Sequence, residues 1–244
     1  MKSFLIFFVI ILFSAGCAST KLQESLGKTW RTGAPENAIL GGYGIRTVTR
    51  DGIVFSENGQ IDLDKLKTST TKSRTVKYDS EKEVKAEVSK ETIGKLNLSY
   101  TDVAKKGYKV IITKVTNTKE IANNLVGSDK NLDEQYLSSK SFRFITGIAR
   151  VYDYKSTEDI NISAGTSLDA AKKINGTITG EGKSGKKIEL KYEDGATVAY
   201  TYARICWNPD GTIRNLQDEA PNPWYMFWFN TFDCPQGSLE TKPK

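Results

Sequence analysis

From residue 38 onward, apolar and polar side chains alternate over short stretches, the period-two pattern of strands with one buried and one solvated face. Ile45, Val48, Ile53, Val54 and Phe55 flank Asp51-Gly52, and a glycine that accepts positive φ suits a tight hairpin there. Asn58-Gly59 predicts a second turn, and Ile61, Leu63 and Leu66 a short helical turn or strand end. Thr68 to Thr71 are polar and patternless. Alternation resumes from Arg74 to Tyr100, with Val84, Ala86 and Val88 set between Glu83, Lys85 and Glu87, then Leu96, Leu98 and Tyr100. Strand is the expectation here, although Glu81 to Lys90 is also rich in helix formers. Firmer strands are Tyr108 to Val115, Ser141 to Tyr154 with apolar residues on both faces, and Ala196 to Trp207. Ile160 to Ser163 extends a hairpin with the second of these. Ile174 to Thr179 and Lys187 to Tyr192 flank a glycine-rich turn, and Asn208-Pro-Asp-Gly211 makes another.

Helical signals are fewer. Lys21 to Trp30 suits a short helix, broken by Gly33, Pro35 and Asn37. Asn117 and Glu120 have capping-box spacing ahead of Ile121 and Leu125, and Gly127 can end that helix. Leu132, Tyr136 and Leu137 suggest another, and Ser167 to Lys173 a brief helical or loop segment. No period of 20–50 residues repeats, so solenoids and propellers are excluded. The pattern predicts an α+β fold: a single domain over residues 38–236, mostly antiparallel β-sheet with a few short helices, then a polar tail over 237–244.

The first seventeen residues follow a different rule. Lys2 supplies a positive charge, Phe4 to Phe13 is an unbroken apolar run, and Ser14, Ala15 and Gly16 lead directly to Cys17. That order is the charged start, apolar middle and small-residue exit of a secretory signal over residues 1–16. The run is about half the ~20 residues of a spanning helix. The small-small-Cys junction resembles the lipobox of bacterial lipoproteins, with Ser14 where Leu is usual. The resemblance implies that Cys17 is acylated and becomes the first mature residue, with residues 17–37 as a tether. An ordinary cleaved signal with Cys17 as a plain thiol is the alternative. Ala18, in place of an Asp, implies export to the outer membrane, lipid-anchored on its periplasmic side or at the cell surface. Two acyl chains suffice for stable anchoring.

With Cys17 acylated, Cys206 and Cys234 are the remaining cysteines, and an oxidising compartment predicts a disulfide between them. Closing a loop of that length is worth roughly 3–4 kcal/mol in the chain-entropy view. Two buried free thiols are the alternative.

The formal net charge is +6, and histidine is absent. The mild positive excess fits anionic lipid or glycolipid, or serves solubility alone; it does not point to nucleic acid. Without histidine the commonest general base, the commonest metal ligand and the Ser-His and Cys-His pairs are gone. No metal or cofactor is expected, and carboxylate-dependent hydrolysis is the enzymatic option left. Gly180-Glu-Gly-Lys-Ser-Gly-Lys186-Lys187 nearly spells a phosphate loop. Its closing hydroxyl is replaced by Lys187, and strand patterns lie on both sides where a helix should follow. A basic hairpin tip is the better reading. Lys105-Lys106, Lys172-Lys173 and Lys186-Lys187 are basic pairs that would attract acidic head groups if they face a bilayer. The aromatic run Trp224 to Phe232, with Trp224 and Trp228, is a core segment pinned by Cys234, an interfacial patch or a partner groove.

The stretch Gly180 to Gly211, GEGKSGKKIELKYEDGATVAYTYARICWNPDG, resembles the strand–turn–strand segment near the end of the gasdermin pore-forming domain. The matching pieces are the glycine-rich basic turn, Gly195-Ala-Thr197, Ala199-Tyr200 and Ile205. The order of Gly94 to Leu98, Asn117 to Val126 and the long strand from Phe142 is compatible. The resemblance implies a membrane-perturbing fold in which hairpins around Lys72–Tyr100 and Phe142–Tyr192 extend between protomers. A secretion signal and a merely polar tail depart from that family, which has no such signal and carries an inhibitory C-terminal part. The expected function is therefore a lipid-anchored envelope lipoprotein with a non-enzymatic binding or structural role. It would be attached to the membrane through Cys17 and would meet a protein or glycolipid partner. Pore formation and envelope hydrolysis are the second and third readings, and no oligomeric state is implied.

Overall fold

The computed structural model describes residues 20–27, 29–32, 38–49, 52–61, 67–118, 120, 139–162, 166, 176–219 and 234–243. The expectations at residues 1–17, 62–66, 121–138, 167–175 and 220–233 lie outside these.

Two long strands form the spine. β5 (Phe142–Val151) and β9 (Ala196–Trp207) are antiparallel and buried along almost their whole length, as their aromatic and β-branched content favours. Before them come β1 (Gly42–Thr49), β2 (Gly52–Gln60), β3 (Thr68–Val76) and β4 (Tyr108–Val115); after them comes β10 (Ile213–Asp218). β10 covers the outer edge of β9. On the other side of β5 the sheet forks. Residues 142–144 pair with β1, and residues 147–150 pair with β4. Two antiparallel strand pairs, β1–β2 and β3–β4, thus leave one strand edge in succession. Gly147 sits at the branch, where an added Cβ would lie 2.6 Å from Thr201 Cγ2 and 3.2 Å from Lys114 Cγ. β-branched Thr201 is buried and has little freedom to turn away.

The expected strand from Arg74 holds as far as Val76, the end of β3, and is corrected from Glu81 to Tyr100. Past β3 the chain folds as α2 (Glu81–Glu87), α3 (Lys90–Leu96) and α4 (Tyr100–Lys106). Ser80, Ser89 and Ser99 each accept a backbone N–H of the following first turn, and Ser99 with Asp102 completes a capping box. Val84 and Val88 are buried while Ala86 is exposed, so the i, i+4 spacing decides the conformation over the alternation. These helices join α1 (Lys21–Leu26), which buries Leu22 and Leu26, in covering one sheet face through Tyr108, Val110, Ile112 and Ala199.

Ile111 points to the opposite face of β4 and packs with Tyr152, Ile160, Ile162, Ile178 and Leu190. Ile160, Ile178 and Leu190 belong to a small second sheet of β6 (Ile160–Asn161), β7 (Thr177–Gly182) and β8 (Lys187–Lys191). β5 ends at Val151, short of Tyr154, because Asp153 caps α5 (Tyr154–Asp159). β6 pairs with β7, so it does not extend the β5 hairpin. The near-phosphate loop is a hairpin turn closed by Gly182 N–H donating to Lys186 O at 2.6 Å. Asn58-Gly59 is not a turn: it lies inside β2 at a register shift opposite Tyr43, whose ring packs against Gly59. Thr68 to Thr71 belong to β3, and Thr68 and Thr70 are buried. The hairpin at residues 49–52, the turn at Asn208–Gly211 and the strands β4, β7, β8 and β9 stand close to where the pattern put them. The fold is α+β, mostly antiparallel sheet with a few short helices.

Gly147→Ala should destabilise the protein by about 1–3 kcal/mol through overpacking at the branch. A lower urea midpoint with unchanged slope would show it; a wild-type midpoint would mean that Thr201 and Lys114 move aside freely.

Candidate functional site

Charged residues set within apolar strands must find partners, because isolated buried charge is expensive. Arg143 on β5 and Arg204 on β9 find the same one. Glu219, directly after β10, folds back so that its N–H donates to Tyr202 O at 3.0 Å. Its side chain is only 3% exposed. Arg143 donates to both carboxylate oxygens, Nε to Oε2 at 2.8 Å and Nη2 to Oε1 at 2.6 Å. The remaining terminal nitrogen of Arg143 donates to the carbonyls of Lys140 and Phe142. Arg204 donates to Oε1 through Nε at 3.0 Å and through Nη2, and reaches Glu240 Oε1 in the tail at 2.7 Å.

Two further guanidinium groups converge from the N-terminal third. Arg31 bridges to β9 by backbone bonds with Tyr200, donates from Nη1 to Glu219 O at 2.7 Å, and stacks 3.6 Å from the centre of the Tyr202 ring. Arg46 on β1 brings Nη1 to 4.0 Å from Glu219 Oε1. Phe55, the register partner of Arg46 on β2, stacks on Tyr202. Burial alone would push the Glu219 carboxyl up. The hydrogen bonds and charge of Arg143, joined by Arg204, outweigh it and hold the group at about 2. Glu219 is therefore a fixed anion with no proton to give near neutral pH, which removes it as a general acid. Among the described residues no group of three or more His, Cys, Asp or Glu is placed to hold a metal ion.

The residues singled out in the sequence fall elsewhere. Cys206 and Cys234 form a disulfide that joins β9 to the tail. Lys105 and Lys106 are exposed at the end of α4, with Lys106 Nζ 5.9 Å from the centre of the Tyr154 ring. Lys186 and Lys187 are exposed at the β7–β8 turn, where Lys187 pairs with Glu189 at 2.6 Å. That turn touches the far end of α5 through Lys183 N–H donating to Asp159 O. The two basic pairs thus flank α5 and do not meet in one patch. A cleft of about 480 Å³ beside it is lined by Lys109, Glu158, Asp159, Glu181 and Lys183, where Lys109 and Glu158 are already paired at 3.1 Å. Cys17, Lys172, Lys173, Trp224 and Trp228 lie outside the described residues. No described helix is long and apolar enough to cross a membrane.

Sequence reasoning missed the arginine cluster. The available signal was an arginine inside each of two core strands, Phe-Arg-Phe-Ile and Tyr-Ala-Arg-Ile. No family model matches the chain, and no curated protein or solved structure matches it.

Glu219→Gln leaves buried guanidinium groups uncompensated and should cost about 3–5 kcal/mol. The native carboxyl is held below its unfolded value of ~4.3. Its contribution is therefore fully present above that pH and is lost as pH falls toward about 2. Urea unfolding from pH 6 to pH 2 should show a steep acid loss in the wild type and a flatter one in Glu219→Gln. Parallel curves would refute the assignment.

Proposed function

We propose that this chain is a lipid-anchored protein of the bacterial outer membrane, held by acyl chains on Cys17, with a non-enzymatic binding or structural role. The observation that supports the reading is the Cys206–Cys234 disulfide. It fits an oxidising compartment and uses both other cysteines of the chain. The cysteine that remains is the one at the small-residue junction after the apolar run. The body it would tether is β-rich, with its unusual chemistry gathered around one buried carboxylate. The partner chemistry this favours is an anionic glycolipid or an acidic protein surface.

A second reading, membrane perturbation of the gasdermin type, draws on one observation. The segment from Glu81 to Leu96 carries a strand-like alternation and yet folds as short capped helices. Such a segment has the pattern of an amphipathic hairpin in reserve, and closure of such hairpins into a barrel would satisfy their edges in lipid.

Expression with isotopically labelled palmitate tests the first reading. Label should enter the wild type and be absent from Cys17→Ser, which should also leave the envelope lipid fraction. Equal fractionation and migration of the two would overturn the anchor. For the second reading, dye release from acidic-lipid vesicles at micromolar protein is the expected result, and intact vesicles would count against it.

A further inference from the structure

The cluster around Glu219 is not balanced. Arg31, Arg46, Arg143 and Arg204 face Glu219. Arg204 and Lys140 share Glu240. Asp218, next in the chain, is occupied by Lys114 and by the Thr146 hydroxyl. Among the described residues five cations thus share two carboxylates, and four of the five are largely shielded from water. Arg143 is 2% exposed and Arg31 8%.

The commitments of the arginines differ. Every side-chain nitrogen of Arg143 and Arg204 donates to a carboxylate or a carbonyl. Arg46 differs. Its ion contact is the long one at 4.0 Å, and its buried Nε has no hydrogen-bond partner among the described residues. The Tyr202 hydroxyl, on a fully buried side chain, also has none among them. Phe55 connects the two, opposite Arg46 in register and stacked on the Tyr202 ring. Arg46 keeps 15% of its side chain in solvent and Arg204 keeps 14%, so this edge of the cluster is reachable from outside.

Surplus buried positive charge and unfilled donors both raise the free energy of the site until an acceptor meets them. A guanidinium fork is matched by a planar or tetrahedral oxyanion bearing several acceptors. We propose that the Arg46 edge of the Glu219 cluster is a phosphate-binding site, in which Arg46 supplies the open fork and the flanking arginines supply the field. The inference deepens the binding role proposed above and is independent of acylation. A phosphorylated glycolipid head group and free phosphate present the same chemistry to it.

Residue-resolved modification of the full-length protein in neutral detergent by phenylglyoxal, read by peptide mass, tests this on the wild type. Millimolar inorganic phosphate at constant ionic strength should slow modification of Arg46 at least five-fold relative to chloride and leave that of exposed Arg74 unchanged. Glucosamine 1-phosphate stands in for a head group. Protection at lower concentration than inorganic phosphate identifies the glycolipid source, and the reverse order identifies free phosphate. Titration calorimetry should give at least ten-fold weaker phosphate binding in Arg46→Gln and wild-type binding in Lys82→Gln, at an exposed position on α2. Equal modification of Arg46 in phosphate and chloride, or undiminished binding by folded Arg46→Gln, would overturn the site. Because the anchor is read by palmitate label and fractionation of Cys17→Ser and the site by phosphate binding, failure of the anchor and failure of the site are told apart.

Discussion

One carboxylate closes the fold. Glu219 receives Arg31 from the N-terminal segment, Arg46 from β1, Arg143 from β5 and Arg204 from β9, and Arg204 passes the connection on to Glu240 in the tail. Taking these charges out of water is costly, and an apolar core of equal volume could be as stable. What the network adds is selectivity among arrangements. Side chains alternate between faces with a period of two, so a one-residue slip of β5 or β9 would carry Arg143 or Arg204 to the wrong side of the sheet. The cost of such a slip is an unpaired buried ion, far above that of a displaced methyl group.

Where the pattern was read correctly, local and tertiary signals agreed. β4 and β9 are nearly continuous apolar runs buried in the sheet, and such runs have few other places to go. Between Arg74 and Tyr100 the signals conflicted. Period two and period 3.6 share Val84 and Val88, and only the serines before each turn separate them. The small caps carried more information there than the apolar residues. β10 went unread because its register shifts between Ile213 and Asn215, which spoils the alternation of a six-residue strand.

The site was legible only in part. The cysteine pairing followed from arithmetic and from compartment, which need no geometry. The lysine pairs were visible because they are adjacent in sequence, yet adjacency says little about assembly, and the two described pairs, Lys105-Lys106 and Lys186-Lys187, stand at opposite ends of α5. The arginines that do assemble are scattered from position 31 to position 204 and owe their meeting to the branched sheet. No local pattern encodes that branch, because it depends on which half of β5 each hairpin joins.

The bridge between Arg31 and Tyr200 has a mechanical consequence. Its two backbone hydrogen bonds, at 2.8 and 3.0 Å, join the leading segment to the central strand and not to a peripheral one. Tension drawn along the polypeptide from its leading end is therefore delivered to the spine of the body. Through Arg31 the same pull also loads the Glu219 ion network, so the bridge and the network share the load.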